Sequence, residues 1–202
     1  MLAHSAPWAA RAWQHWHRPW AVTHASWLHD AGCANELSLR LHYPAWCRQY
    51  ALEPALTEFD DTPWWRLFSL APATFEQAAR RVGWTLMFAA DRRLRLLRDA
   101  SVDVAGMRWA LERAHFMPEP VVAALGEAGT RACAEAHAAL SLRWCLDAAP
   151  ALWERMQLRF AREHVPADRA VLRPRRIDPA VRTHLARLWR AGTRFEQEET
   201  SA

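Results

Sequence analysis

The sequence has no lysine; all 26 of its Lys and Arg residues are arginine. That excludes a Schiff-base lysine, a lysine general base and the phosphate-binding lysine of a P-loop. Glycine is scarce too, with 6 copies in 202 residues. None falls into G-x-G-x-x-G or G-x-x-x-x-G-K-[ST], the loops whose amides cradle phosphates. No serine lies within G-x-S-x-G, so the elbow that exposes a hydrolase nucleophile is missing. The 4 cysteines, Cys33, Cys47, Cys133 and Cys145, form no C-x-x-C pair. They are expected to be reduced and mostly buried, acting as small hydrophobes. No apolar run approaches the roughly 20 residues of a membrane span. The opening MLAHSAPWAARAWQHWHRPW sets Trp, His and Arg where an export signal needs a clean apolar stretch. The expectation is a cytoplasmic chain that is not an enzyme and carries no cofactor.

What is present suffices for a packed core. Hydrophobic residues make up 51% of the chain and charged residues 24%, which argues against wholesale disorder. The net charge of +4 is unevenly placed: residues 155–194 are rich in arginine, whereas 1–63 are mildly acidic. Such an arginine-rich end suits an acidic partner surface.

Between the 12 prolines the apolar period is helical almost everywhere, so the predicted class is all-α, an irregular multi-helix bundle. Helices are predicted over 8–17 and 20–30, divided at Pro19. The alternation Glu36-Leu37-Ser38-Leu39-Arg40-Leu41 fits one short strand or hairpin near residues 36–41. The clearest helix starts at a Thr74/Gln77 capping box. It carries Phe75, Ala79, Val82, Leu86, Ala90, Leu94 and Leu97 as a stripe. Ser101 is placed to cap the next helix, with Val104, Met107 and Leu111 inside and Pro118 as its stop. Further helices are predicted over 130–146, from Pro150, and from an Asp178 cap with Pro179 in the first turn, closed by Gly192. The predicted organisation is a Trp/His-rich helical extension (1–63), a main helical domain (64–195) and a disordered acidic tail (196–202).

The side chains in excess are tryptophan, with 13 copies, and histidine, with 10. No two of the early histidines have the i, i+3 or i, i+4 spacing that holds zinc on a helix face. Cys33, His42 and Cys47 would converge only through a fold that this spacing does not reveal. Trp84, Trp109, Trp144 and Trp153 lie in strong helical segments and are predicted to be core. The early Trp13, Trp16 and Trp20 share a face if the chain continues helically, which makes them candidate anchors for the bundle or for a partner. Arg92, Arg93 and Arg95 stand opposite the leucine stripe and are the second candidate protein-interaction group. Leu172-Arg173-Pro174-Arg175-Arg176 has the composition of a phosphate-binding patch.

Two stretches carry a family resemblance. One is Ala78-Ala79-Arg80-Arg81-Val82-Gly83-Trp84-Thr85-Leu86-Met87, continuing to Arg92-Arg93-Leu94. The other is Ala138-Ala139-Leu140-Ser141-Leu142-Arg143-Trp144-Cys145-Leu146, leading through Pro150 into Trp153-Glu154-Arg155-Met156-Gln157-Leu158-Arg159-Phe160. Together they resemble the SctK proteins of bacterial type III secretion, in the Yersinia-type and plant-pathogen Hrp-type versions. The likeness implies a cytoplasmic structural adaptor at the inner-membrane face of the secretion apparatus. Its implied partners are an SctD-like ring protein and an SctQ-like pod protein of the sorting platform. No site residue or small-molecule substrate comes with it. An arginine-rich, nucleic-acid-binding helical regulator is the alternative.

Overall fold

A computed structural model describes residues 6–29, 36–53, 62–90, 103–127, 133–165 and 177–200, with backbone alone at 29, 127 and 195–200. Among these residues there are ten α-helices and no strand, an all-α fold. Five of the helices begin on a proline. Proline suits that position because its missing N–H has no acceptor in the first turn and its φ is already helical. No helix among the described residues is long and apolar enough to cross a membrane.

Two compact units are present, the first built from residues 1–75 and 146–163, the second from 76–145 and 164–202. This differs from the expected division at residue 63. The N-terminal segment falls in one unit with a stretch of chain that follows residue 145.

In the first unit, α1 (Pro7–His17) packs on α4 (Pro63–Phe68). Ala9, Ala12 and Trp16 are the buried positions of α1, at the spacings of three and four that place side chains on one face. Rather than the predicted single helix over 20–30, a 3-10 turn (Pro19–Ala21) and the short α2 (Ala25–His29) follow. The short strand predicted near 36–41 is instead part of α3 (Glu36–Gln49). Only Leu39 of the alternating leucines is buried, and Trp46 and Cys47 continue its face past Pro44. The period of two was incidental; the burial follows seven and eight residues. Ala51 closes α3 in the left-handed region at φ 53°, while Leu52 N–H donates to Cys47 O at 2.8 Å, an ending that glycine ordinarily makes. The second stretch supplies α9 (Pro150–Met156) and the 3-10 turn Gln157–Arg159. Its backbone runs beside the N-terminal segment: His24 N–H donates to Leu158 O, and Trp27 Nε1–H to Phe160 O at 2.8 Å.

The second unit holds most of α5 (Pro72–Ala90), with α6 (Val104–Ala114), α7 (Glu119–Glu127), α8 (Ala134–Cys145) and α10 (Pro179–Thr200). Because α5 begins at Pro72, Thr74 lies inside the first turn and does not cap it; Phe75 N–H donates to Ala71 O. The stripe is as predicted at Phe75, Ala79, Val82 and Leu86, whereas Ala90 is exposed; Leu94 and Leu97 lie outside the described residues. Asp103 caps α6, its carboxylate accepting from Ala105 N–H at 3.0 Å. The predicted cap, Ser101, lies outside the described residues. Val104 sits in the exposed first turn, while Gly106, Trp109 and Ala110 face inward. The sequence reading missed α7, whose Val121 and Leu125 are buried one turn apart.

Ten of the twelve residues of α8 are buried, and it packs against α10. Trp189 of α10 donates its indole N–H to Ser141 Oγ of α8 at 3.1 Å. Asp178 caps α10 as predicted, accepting from Ala180 N–H at 2.7 Å. Gly192 does not close that helix, which continues to Thr200 through part of the predicted disordered tail. It is a packing position instead: a Cβ there would lie 3.3 Å from Val82 Cγ2. Gly83 allows a closer approach. A Cβ on it would lie 1.9 Å from the Ala134 carbonyl oxygen, so the start of α8 abuts the backbone of α5.

Candidate functional site

The predicted tryptophan face divides among three roles: Trp13 and Trp16 differ in burial on α1 itself, and Pro19 turns the chain before Trp20. Trp16 is 2% exposed and belongs to the core of the first unit. Its ring lies 5.5 Å from that of Trp65. Trp20 is half-buried and meets Tyr43 of α3 edge-on at 5.7 Å. Trp13 alone faces outward, 47% exposed, against the His17 imidazole at 4.2 Å. With Ala9, Ala10 and Gln14 it lines a hollow of about 410 Å³. Arg92, Arg93 and Arg95 lie outside the described residues, as does the 172–176 run.

Behind Trp16 lies an arginine pair that changes the charge map. Arg155, 1% exposed, donates from Nη1 to Trp16 O at 2.8 Å. Its Nη2 serves Tyr43 Oη at 2.9 Å and the Glu53 carbonyl. The guanidinium also stands 4.6 Å from the centre of the Trp16 ring. One helical turn further, Arg159 donates to Phe68 O at 3.0 Å and Leu70 O at 2.8 Å, over the Phe75 ring. Burial pulls its pKa down to about 9, so it stays charged at neutral pH. Of the arginines over 155–194 that were expected to form a basic end, these two are interior. They tie carbonyls of the N-terminal segment to the later stretch, where fixed donors satisfy groups that water cannot reach.

Sequence reasoning missed the surface that α3 presents. Leu37 is 67% exposed and Leu41 is 71% exposed, and at i, i+4 they share one side of the helix. Beside them Arg40 pairs with Glu36 at 2.6 Å, and hydrogen bonding from Arg40 holds the Glu36 carboxyl below its usual pKa. Trp20 supports the helix from behind through Tyr43. Two exposed leucines beside a charge pair have the make-up of an interface core with its rim. The signal was visible as Leu37 and Leu41 at helical spacing, hidden by the alternation with Leu39.

Elsewhere the histidines sort by burial. His15 Nδ1–H donates to Phe68 O at 2.9 Å, and burial, followed by the charges of Arg159 and Arg11, outweighs that bond and lowers its pKa. His42 is exposed on α3 and Cys47 is buried on it, while Cys33 lies outside the described residues. Cys145 is buried as expected, and burial pushes its thiol up to about 12. The core tryptophans are as expected at Trp109, Trp144 and Trp153; Trp84 is half-buried. No family model matches the chain, and no curated protein or solved structure matches it.

Proposed function

We propose that this protein is a structural adaptor of the SctK kind, linking an SctD-like ring protein to an SctQ-like pod protein at the inner-membrane face of a type III secretion apparatus. The observation that supports this reading is the place of the residues that carry the resemblance. Gly83 makes the close approach of α5 to α8, and Arg155 and Arg159 join the two stretches of the first unit. Such residues specify a scaffold, and likeness at scaffold positions argues for a shared architecture. On that scaffold the outer face of α3 is the surface we assign to a partner, since its leucines would be desolvated on contact.

Co-expression with SctD-like and SctQ-like proteins of the same genome, followed by size-exclusion chromatography, tests the proposal. Both should co-elute with the chain. Leu37→Glu with Leu41→Glu should weaken one complex at least tenfold, about 1.4 kcal/mol, while the circular-dichroism melt stays unchanged. No complex with either partner overturns the adaptor reading. Two intact complexes with the double variant overturn only the assignment of this face.

A further inference from the structure

At the start of α8, three side chains from two separate parts of the second unit converge. Cys133 immediately precedes the helix, Glu135 lies in its first turn, and His164 ends a 3-10 turn (Arg162–His164). All three are half-buried, and one ligand atom from each lies within 4.8 Å of the others. A thiol, a carboxylate and an imidazole are the donors that zinc takes, whereas calcium and magnesium select oxygen alone. We propose that this cluster is a zinc site, in which Cys133 Sγ, a Glu135 carboxylate oxygen and a His164 ring nitrogen bind the ion and water completes a tetrahedron.

The surroundings suit that assignment. Glu135 Oε2 accepts the Cys133 thiol hydrogen at 3.1 Å. Its other oxygen, Oε1, faces Arg80 Nε at 3.8 Å. One oxygen is therefore turned to the thiol, while the second faces a cation on α5. His137 Nδ1–H donates to Cys133 O at 2.9 Å, which fixes the backbone next to the thiol without using the thiol itself. Backbone N–H groups of Ala136 and Glu135 point at Sγ and favour a thiolate, but burial is the larger influence, and with Glu135 beside it the thiol pKa stands above the usual value. Binding has a definite balance: Zn²⁺ takes the sulfur lone pair, the S–H bond breaks and one proton leaves to solvent, with no change of oxidation state. Affinity should fall as pH falls, because the proton competes for the same lone pair.

The ion would pin His164 to the start of α8, and the site is independent of the adaptor reading. The full-length protein, stripped with chelator and titrated with Co²⁺, should show a near-ultraviolet sulfur-to-cobalt band and intense visible bands, saturating at one ion per chain. Zn²⁺ should bleach both. In zinc at a hundredfold excess over Kd, the melting temperature should rise by about 5–10 °C. Cys133→Ser should abolish the sulfur band, and His164→Ala and Glu135→Gln should each weaken binding at least tenfold. Should those variants fold poorly, the unaltered protein still decides: Zn²⁺ should slow alkylation of Cys133 at least tenfold, followed by peptide mass spectrometry. An unchanged alkylation rate, or a cobalt band that persists in folded Cys133→Ser, overturns the site.

Discussion

Arg155 shows how much one side chain can be asked to hold. Its guanidinium serves Trp16 O, Tyr43 Oη and Glu53 O from within the core. Arg155→Ala leaves those acceptors without their donor and opens a void under the Trp16 ring. At about 1–3 kcal/mol for each abandoned buried group, the loss should reach about 3–5 kcal/mol, a large share of the stability of roughly 5–15 kcal/mol of an ordinary domain. Arg155→Lys keeps the charge but loses the planar fork and one of the donor directions, so it should recover only part of the loss. Thermal melts of the three proteins by circular dichroism give the order: native highest, lysine intermediate, alanine lowest. An alanine variant that melts with the native protein would mean that the guanidinium is dispensable.

Helices make the next scale, and two glycines on them give opposite expectations. At Gly83 a methyl group would meet the Ala134 carbonyl at 1.9 Å. Backbone cannot swing aside as a side chain does, so Gly83→Ala should force α5 and α8 apart and cost several kcal/mol. At Gly192 the nearest obstacle is a Val82 methyl at 3.3 Å, which has room to adjust by a few tenths of an ångström. There the gain of about 1 kcal/mol in helix propensity should offset the crowding, leaving Gly192→Ala within about 1 kcal/mol of the native protein in urea unfolding. Gly192→Ala as damaging as Gly83→Ala would contradict this packing account. The same elements show what the sequence disclosed. Proline-led starts made α9 and α10 legible, and the stripe at Phe75, Ala79, Val82 and Leu86 made α5 so, because these cues are local. α3 was misread because Leu37 and Leu41 belong to its surface and Leu39 to its core, a distinction that alternation erases. α7 was missed because its buried positions, Val121 and Leu125, span a single turn between Pro120 and Gly126. Buried Arg155 and Arg159, and the meeting of Cys133 and Glu135 with His164, depend on partners far away in the chain, so no local pattern announces them.

At the scale of the whole molecule, the decisive feature is that the first unit is discontinuous. A chain beginning at residue 64 loses Trp16, Tyr43 and Glu53 and strands Arg155 in an apolar setting without the groups it served. Such a fragment should not behave as a self-contained helical domain. Expected signs are a broadened melt and binding of a hydrophobic dye, both absent in the full chain. A sharp, dye-free transition from residues 64–202 would restore the simpler division read from sequence.

The discontinuity also bears on how the protein is made. A ribosome releases the N-terminal segment first, yet that segment's core is completed only after residues 146–163 have left the exit tunnel. At roughly 5–20 residues per second, the chain from residue 75 to residue 163 takes roughly 4–18 s to emerge, so Trp16, Trp27 and Trp65 wait at least that long for the strip that covers them. During that interval the nascent chain presents aromatic surface to whatever is nearby, including other nascent copies. Slower translation past residue 75 lengthens the exposure. Yield in a heterologous host should therefore follow the supply of chaperones that hold emerging chains more closely than it follows the stability of the finished protein.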